Sequence, residues 1–207
     1  LHKRPPNLVN RVIKRCLDFV CASLLLLLLS PTFLLLALAV HFSSPGPIFY
    51  RWKVLGQYAR PFTGYKFRTM VADADARKAE LLASNEMKGP VFKMASDPRV
   101  TPLGRWLRKF SLDELPQLWC VLVGDMSLVG PRPPSRAEHE QIELWQMRKL
   151  SVKPGITCLW QVNGRNKIND FSEWVKLDLQ YIDNWSLWLD FKILVKTAMA
   201  VIKGTGV

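Results

Sequence analysis

The sequence FVCASLLLLLLSPTFLLLALAV, residues 19–40, runs for 22 residues without a charged side chain. As one straight helix it would be about 33 Å long, which is enough to cross the hydrocarbon core of a bilayer. Soluble helices seldom carry so long an uncharged run, so the sequence predicts a chain that is bound to a membrane.

Ser30-Pro31 divides this apolar run at its midpoint. Proline inside a helix removes one backbone hydrogen bond and clashes with an earlier carbonyl, which predicts a kink and two halves of about 16 Å each. Basic residues flank both ends of the run: Lys3, Arg4, Arg11, Lys14 and Arg15 before it, and Arg51, Lys53, Arg60, Lys66 and Arg68 after it. The positive-inside rule then favours a re-entrant hairpin with both ends on the cytoplasmic side, and a kinked single span remains the alternative.

The composition limits the class of protein further. The chain has 207 residues, 49% of them hydrophobic, and a net charge of +12, which excludes a disordered chain and requires an anionic partner. Nucleic acid, phospholipid and a phosphorylated substrate all meet that requirement. The 4 cysteines form no C-x-x-C pair and no zinc-finger spacing, which favours a reducing compartment.

Patterns after the apolar run predict mostly helices. Residues 48–54 and 65–69 alternate apolar and basic side chains and predict a basic β-hairpin with Lys66 and Arg68 on one face. The other predicted elements are helices over 71–85, 102–110, 113–123, 138–150, 170–182 and 185–203, and a strand over 158–162. The last helix combines apolar residues with Lys192, Lys196 and Lys203, as in a helix lying in the membrane interface; an ordinary amphipathic core helix is the alternative.

Asp113-Glu114 is the first candidate for chemistry. A capping box Ser111-x-x-Glu114 would place Pro116 inside the helix, where it breaks a hydrogen bond. With Asp113 as N-cap, Pro116 falls where its missing N–H costs nothing, so the sequence predicts Asp113 at a helix N-terminus. Two adjacent carboxylates repel each other, and a divalent cation or Arg108 would relieve that repulsion. A purely structural capping role is the alternative.

Arg132 is the second candidate, because prolines on both sides stiffen its backbone and orient a guanidinium suited to phosphate. An ordinary surface arginine in a polyproline turn is the alternative. Lys66 and Arg68 add positive charge, which an exposed or lipid-facing strand edge also explains. The sequence contains neither H-E-x-x-H nor a glycine-rich nucleotide loop, which argues against a zinc hydrolase and against the two common nucleotide cradles.

Four motifs together resemble one family. They are YKFRTM (65–70), SLDELPQL (111–118), GDMSLVGPRP (124–133) and KPGIT (153–157). In this order they resemble the bacterial sugar transferases, the monotopic polyprenyl-phosphate phosphoglycosyl transferases, from about Arg11 to the C-terminus. WQVNGR (160–165) is also similar to the subgroup that builds exopolysaccharide and O-antigen.

The resemblance implies an activity. A UDP-sugar donates phosphosugar to undecaprenyl phosphate and releases UMP, with Asp113 as the nucleophile of a covalent intermediate. The resemblance implies that Glu114 holds Mg²⁺ and that Arg108 and Arg132 bind phosphate. Lys66 and Arg68 are expected to bind substrate phosphate with them. Ser30-Pro31 matches the break that makes the family's membrane helix re-entrant.

The expected fold is α+β and mainly helical, with a re-entrant membrane helix-break-helix in residues 1–45. Residues 46–207 are expected to form one catalytic domain, with a small basic β-hairpin and amphipathic interface helices around a compact core. The expected location is the cytoplasmic face of the bacterial inner membrane, with the sugar donor, the polyprenyl phosphate and phospholipids as partners and without nucleic acid; a homodimer is left open. The rival hypothesis is a membrane-tethered basic module that binds nucleic acid or anionic lipid without catalysis.

Overall fold

The computed structural model describes residues 8–164 and 168–206, and two helices lead it. α1 spans Leu8–Leu28 and α2 spans Ser30–Ser43. Pro31 lies in the first turn of α2, where its missing N–H costs no helical hydrogen bond, and the Ser30 hydroxyl donates to the Leu27 carbonyl at 2.8 Å. The predicted break at Ser30-Pro31 is therefore confirmed, although α1 continues upstream well beyond the apolar run.

Within residues 8–164 and 168–206, no single helix is both long enough and apolar enough to cross a bilayer. α1 and α2 reach that length and apolarity as a pair, and the pair is bent by 63° at the break. The flanking Lys3 and Arg4, and Arg165 of the WQVNGR motif, lie outside the described residues.

The predicted hairpin is confirmed as β1, Phe49–Leu55, paired antiparallel with β2, Pro61–Phe67. A second sheet pairs β3, Ser127–Val129, in parallel with β4, Gly155–Thr157. The remaining helices are α3 (Ala74–Arg77), α4 (Pro102–Lys109), α5 (Gln117–Val123), α6 (Arg136–His139), α7 (Leu159–Val162), α8 (Phe171–Asp183) and α9 (Leu187–Lys203). Over the described residues the fold is mainly helical, as predicted, and the parallel β3–β4 sheet was not predicted.

Three predicted elements are wrong. The helix over 71–85 is reduced to α3 and a 3-10 helix Ala79–Ser84, because Ala74 is its one buried side chain and a longer helix would have no apolar face to pack. The helix over 138–150 is likewise reduced to α6 and a 3-10 helix Gln146–Ser151. The predicted strand over 158–162 is α7, and the strand lies just upstream in β4.

β4 forms upstream because Gly155 permits close backbone contact. A Cβ atom on Gly155 would lie 2.0 Å from the backbone nitrogen of Gly130, so only glycine allows the two chains to approach there. The glycines of the GPRP and KPGIT motifs thus bring these two segments together.

Charged side chains fasten the first half of α1 to the rest of the molecule. The Lys14 ammonium donates to Asp190 of α9 at 2.6 Å, and Arg15 donates to two carbonyls in the last turns of α5 at 2.6 and 2.8 Å. The buried Asp18 carboxylate accepts the Leu128 N–H of β3 at 3.0 Å. The predicted boundary at residue 45 falls between α2 and β1, but α1 packs on elements from both sides of it.

Among residues 8–164 and 168–206, the apolar core consists of three clusters. One joins α1, α5, β3, α8 and α9 around Val121 and Met126, and a second packs Phe171 and Val175 of α8 against α7. The third joins α2, β2 and α4 around Phe67 and Leu107. The predicted helices at α4, α8 and α9 are confirmed, with Asp170 capping α8 through the Ser172 N–H at 2.7 Å.

Candidate active site

A cleft of about 1000 Å³ opens between the hairpin, α4 and the segments on either side of β4. All six polar residues that the sequence singled out line it: Lys66, Arg68, Arg108, Asp113, Glu114 and Arg132. These residues are separated by up to 66 positions in the chain, so the fold, not the local sequence, brings them together.

Asp113 lies in a 3-10 turn, Leu112–Glu114, that precedes α5. Its side chain is buried, and Ser111 before it adopts the left-handed conformation at φ 54° with no side-chain cap, so the capping box is absent. The predicted N-cap position of Asp113 is wrong, because α5 starts at Gln117 with Pro116 as its cap residue. The left-handed residue turns the chain early, and the acidic pair therefore lies one turn upstream of α5, in the cleft wall.

Glu114 accepts a hydrogen bond from the Lys66 ammonium at 2.7 Å, in an ion pair whose side chains are 25% and 15% exposed. The same ammonium lies 4.7 Å from the ring centre of Trp52. Trp52 faces Gly64 across the hairpin, where a Cβ atom would lie 2.6 Å from the indole nitrogen. The glycine thus makes room for the indole that supports Lys66, and the lysine charge reduces the repulsion between the two carboxylates.

Arg108 reaches the same cleft from the last turn of α4. Its Nε donates to the Thr69 hydroxyl at 3.0 Å, and Thr69 in turn accepts the Thr101 N–H at its carbonyl, also at 3.0 Å. Burial lowers the pKa of Arg108, and the nearby Asp113 carboxylate opposes that change. Arg108 and Asp113 thus line the same cleft, where the carboxylate favours the charged form of the guanidinium.

Arg132 also lines the cleft. Its two terminal nitrogens donate to the two carboxylate oxygens of Glu138, each at 3.2 Å. Three cationic side chains, Lys66, Arg108 and Arg132, therefore line one cleft with the pair Asp113-Glu114. Such a site can hold a di-anionic phosphate group beside a carboxylate nucleophile.

A sequence model of bacterial sugar transferases matches residues 9–204, nearly the whole chain. The chain belongs to this family. The resemblance inferred from the four motifs is thereby confirmed.

Three curated relatives are informative. The chain is 47% identical over 195 residues to the galactosyl transferase CpsE of Streptococcus agalactiae, and 43% identical over 201 residues to the undecaprenyl-phosphate galactose phosphotransferase of Salmonella typhimurium. These alignments cover 94% and 95% of this chain but 43% and 42% of those relatives, so the chain spans less than half of their length. It is 41% identical over 202 residues to the exopolysaccharide production protein ExoY of Rhizobium meliloti, covering 96% of this chain and 89% of ExoY.

Arg68 of this sugar transferase differs in its surroundings from the other five candidates. Its guanidinium is largely buried and donates to the carbonyls of Pro47 at 2.6 Å and Val40 at 3.1 Å, and also to Ser44. These contacts close the C-terminal end of α2 against the hairpin, whereas the Lys66 ammonium points to Glu114. The structure thus gives Arg68 a supporting position in the cleft wall, and phosphate binding by Arg68 stays a prediction.

Sequence reasoning missed part of the cleft of this transferase. Asp97 and Arg99 also line the cleft and form a buried ion pair at 2.7 Å, and Arg99 holds the pKa of Asp97 below its ordinary value. Opposite charges on either side of Pro98 were the available signal. Trp160 and Trp174 also line the cleft, stacked with ring centres 4.0 Å apart, and no local pattern connects them.

The Asp113-Glu114 pair could hold a magnesium ion that is shared between protein carboxylates and the phosphates of a substrate. Mg²⁺ commonly takes one or two carboxylates together with substrate phosphates, instead of a complete protein cage. Within the described part of the chain, no group of three or more histidine, cysteine or acidic side chains could hold a metal alone. Asp113 and Glu114 could hold Mg²⁺ in this substrate-dependent mode once a phosphorylated ligand lies beside Lys66, Arg108 and Arg132.

Gly104 of α4 is expected to tolerate no side chain. A Cβ atom there would lie 2.0 Å from the Thr69 carbonyl oxygen. The same carbonyl accepts the Thr101 N–H, and the Thr69 hydroxyl accepts the hydrogen bond from Arg108. We expect Gly104→Ala to lower the free energy of unfolding by about 1–3 kcal/mol, as overpacking does. Urea denaturation in detergent measures this. Gly56→Ala, whose nearest contact would be 3.3 Å, is the control, and equal stability of the two variants would contradict the close contact.

Proposed function

We propose that this chain transfers phosphosugar from a UDP-sugar to undecaprenyl phosphate, forming polyprenyl-diphosphate-sugar and UMP. One observation carries the proposal: the acidic pair Asp113-Glu114 shares a single cleft with Lys66, Arg108 and Arg132. The names of the relatives support it, since one is an undecaprenyl-phosphate galactose phosphotransferase and another, in Escherichia coli, a UDP-glucose:undecaprenyl-phosphate glucose-1-phosphate transferase. Galactose and glucose are therefore the first sugars to test. The name of ExoY, an exopolysaccharide production protein, supports a role in exopolysaccharide synthesis.

The proposed reaction has two displacements at phosphorus. In the first, a carboxylate oxygen of Asp113 bonds to the phosphorus that bears the sugar, the bond to the bridging oxygen breaks, and UMP leaves. In the second, a phosphate oxygen of undecaprenyl phosphate attacks the same phosphorus and Asp113 departs as a carboxylate. Covalent catalysis of this kind lets a soluble donor and a lipid acceptor use one site in turn.

Electrostatics decides whether a carboxylate can attack a diphosphate at all. Both reactants are anionic, so the barrier falls only where fixed positive charge stabilises the charge that develops on the phosphoryl oxygens. Arg108 and Arg132 supply donors in planar arrays suited to phosphate, and Lys66 supplies a point charge. Glu114 would hold Mg²⁺, which neutralises phosphate charge when it is bound.

The site is proposed to lie at the cytoplasmic face of the bacterial inner membrane. Large exposed apolar side chains lie on the α1–α2 pair and on α4, α5 and α9: Leu24, Leu27, Leu28, Leu34, Leu35 and Phe42, then Trp106, Trp119, Trp188, Phe191 and Ile202. The anchors Lys14, Arg15 and Asp18 keep the first half of α1 on the core, where Ala22 is also buried. The exposed Leu24, Leu27 and Leu28 on the rest of α1 are left for lipid. A re-entrant pair, entering and leaving on one side, fits this division.

The re-entrant topology gives a testable prediction for a variant with Ser30 and Pro31 both replaced by leucine. Without the break, a continuous helix is long enough to cross the bilayer, and one end of it becomes exposed outside the cell. Single cysteines at Leu8 or Ser44, in a background without native cysteines, report this by labelling intact spheroplasts with an impermeant maleimide. We expect both sites to be protected in the parent and in a Pro45→Leu control. Outside labelling of either site in the parent would contradict the hairpin.

The proposed activity is tested by UMP release. A panel of UDP-sugars is incubated with the protein in detergent, with and without undecaprenyl phosphate, and UMP is quantified. We expect sustained UMP release only with a UDP-sugar and the lipid acceptor together. Equal rates without acceptor would indicate a hydrolase, and absence of release with salt-sensitive DNA binding would favour the rival binding module.

A further inference from the structure

Arg132 is oriented by Glu138 as well as by the two prolines that flank it. Its terminal nitrogens form two parallel hydrogen bonds with Glu138, each at 3.2 Å, in an ion pair whose side chains are 31% and 12% exposed. A guanidinium has five N–H groups, so this fork leaves three others for a ligand in the cleft. Glu138 itself is absent from the cleft lining and reaches the site through Arg132.

The Glu138 carboxylate is in turn fixed by the backbone. Oε2 accepts the Ser135 N–H at 2.7 Å, while the Ser135 hydroxyl accepts the Glu138 N–H at 3.2 Å, which completes a capping box. The helix that it caps, α6, has only 4 residues. So short a helix gains little from a cap, and the main effect of the box is to hold the carboxylate in one place.

A second ion pair lies behind this one in the core. The Lys149 ammonium is 3.0 Å from Asp178 of α8, with side chains 2% and 1% exposed. Although burial opposes it, Arg132, the Ser135 N–H and Lys149 together keep the pKa of Glu138 below its ordinary value. The charges therefore alternate from the cleft inward, in the order Arg132, Glu138, Lys149 and Asp178.

We propose that Glu138 is a positioning residue, which holds Arg132 in the orientation that binds the diphosphate of the donor. This inference rests on the proposed function. It goes beyond it by assigning the alignment of the phosphate-binding arginine to the capping box of α6. An arginine side chain that is already ordered before the diphosphate binds loses less conformational entropy on binding than a mobile one does.

The test compares Glu138→Gln with Glu140→Gln. Glutamine at 138 can still accept the Ser135 N–H through its amide oxygen. Its NH2 group, however, would face a terminal NH2 of the Arg132 guanidinium, donor against donor, and the negative charge is lost. We expect the dissociation constant for UDP, measured by titration calorimetry with Mg²⁺, to rise about 10- to 100-fold, as for loss of a charge-assisted hydrogen bond. The KM for the UDP-sugar should rise with it. Glu140→Gln removes an exposed pair with Arg136, 3.3 Å long, and should leave both values unchanged.

A double-mutant cycle separates positioning from a general loss of structure. If Glu138 acts through Arg132, Glu138→Gln adds little to the loss caused by Arg132→Lys alone. Additive losses, or unchanged UDP affinity in Glu138→Gln, would overturn the inference while leaving the proposed transfer intact. If the wild-type protein binds UDP but transfers no sugar, the proposed function fails and the UDP affinities still decide the role of Glu138. A wild-type protein that does not bind UDP contradicts both.

Discussion

Asp113→Asn is expected to reduce transfer of labelled phosphosugar to undecaprenyl phosphate by about four orders of magnitude or more, as loss of a nucleophile does. Asparagine has nearly the same shape, so the 3-10 turn Leu112–Glu114 should form as before. The amide oxygen cannot supply the negative charge that attacks phosphorus, and the first displacement then has no nucleophile.

The control for this variant is Asp125→Asn, in the next motif along the chain. Asp125 is exposed and does not line the cleft, so its amide should leave the rate within about twofold of wild type, as for a surface substitution. UDP affinity should survive in Asp113→Asn, because Arg108 and Arg132 are unchanged. A rate for Asp113→Asn within tenfold of wild type would contradict the assignment of the nucleophile.

Asp178→Ala is expected to produce the largest loss of stability. It leaves the Lys149 ammonium unpaired at 2% exposure, and breaking a buried ion pair by removing one partner costs about 3–5 kcal/mol. Burial raises the pKa of Asp178 against the opposing effect of Lys149, so desolvation at this site is large. Urea denaturation in detergent, followed by tryptophan fluorescence, measures the free energy of unfolding.

The matched comparison removes both charges together. Lys149→Met with Asp178→Leu replaces the pair with apolar side chains of similar size and should recover most of the lost stability, because no unpaired charge is left. If the double variant is as unstable as Asp178→Ala, the loss arises from packing and not from the buried charge.

Local chemistry explains which elements could be predicted from sequence. The break at Ser30-Pro31 depends on local groups, namely the proline ring and the Ser30 hydroxyl, and the start of α8 depends on the Asp170 side chain, so both were predicted correctly. The hairpin follows from strict alternation over β1 and β2. In each case the determining interaction lies within a few residues of the element it shapes.

The wrong predictions share one physical cause: the outcome depends on tertiary contacts, or on their absence, which a local sequence pattern does not show. The left-handed conformation of Ser111 moves Asp113 out of the N-cap position, and no local signal marks a non-glycine residue for φ 54°. The alanine-rich segment 71–85 has good helix propensity but almost no buried face. Propensity alone does not sustain a long helix without tertiary contacts.

The candidate site was predictable in its chemistry but not in its supports. Asp113, Glu114 and Arg132 stand in short motifs with unusual proline spacing, which drew attention to them. Glu138 and Thr69 were not predicted, because their role is to accept hydrogen bonds from the cleft arginines in the folded chain. Glu138 accepts from Arg132, and Thr69 accepts from Arg108. The expected magnesium ion, the absence of nucleic acid and the homodimer stay predictions.

The most direct test of the central claim is to locate the phosphosugar on the protein. The chain is incubated with a labelled UDP-sugar that supports turnover, without acceptor, then quenched, digested and mapped by mass spectrometry. We expect the phosphosugar adduct on the peptide that contains Asp113, its release on addition of undecaprenyl phosphate, and its absence in Asp113→Asn. An adduct on another residue, or none while transfer proceeds, would contradict the central claim.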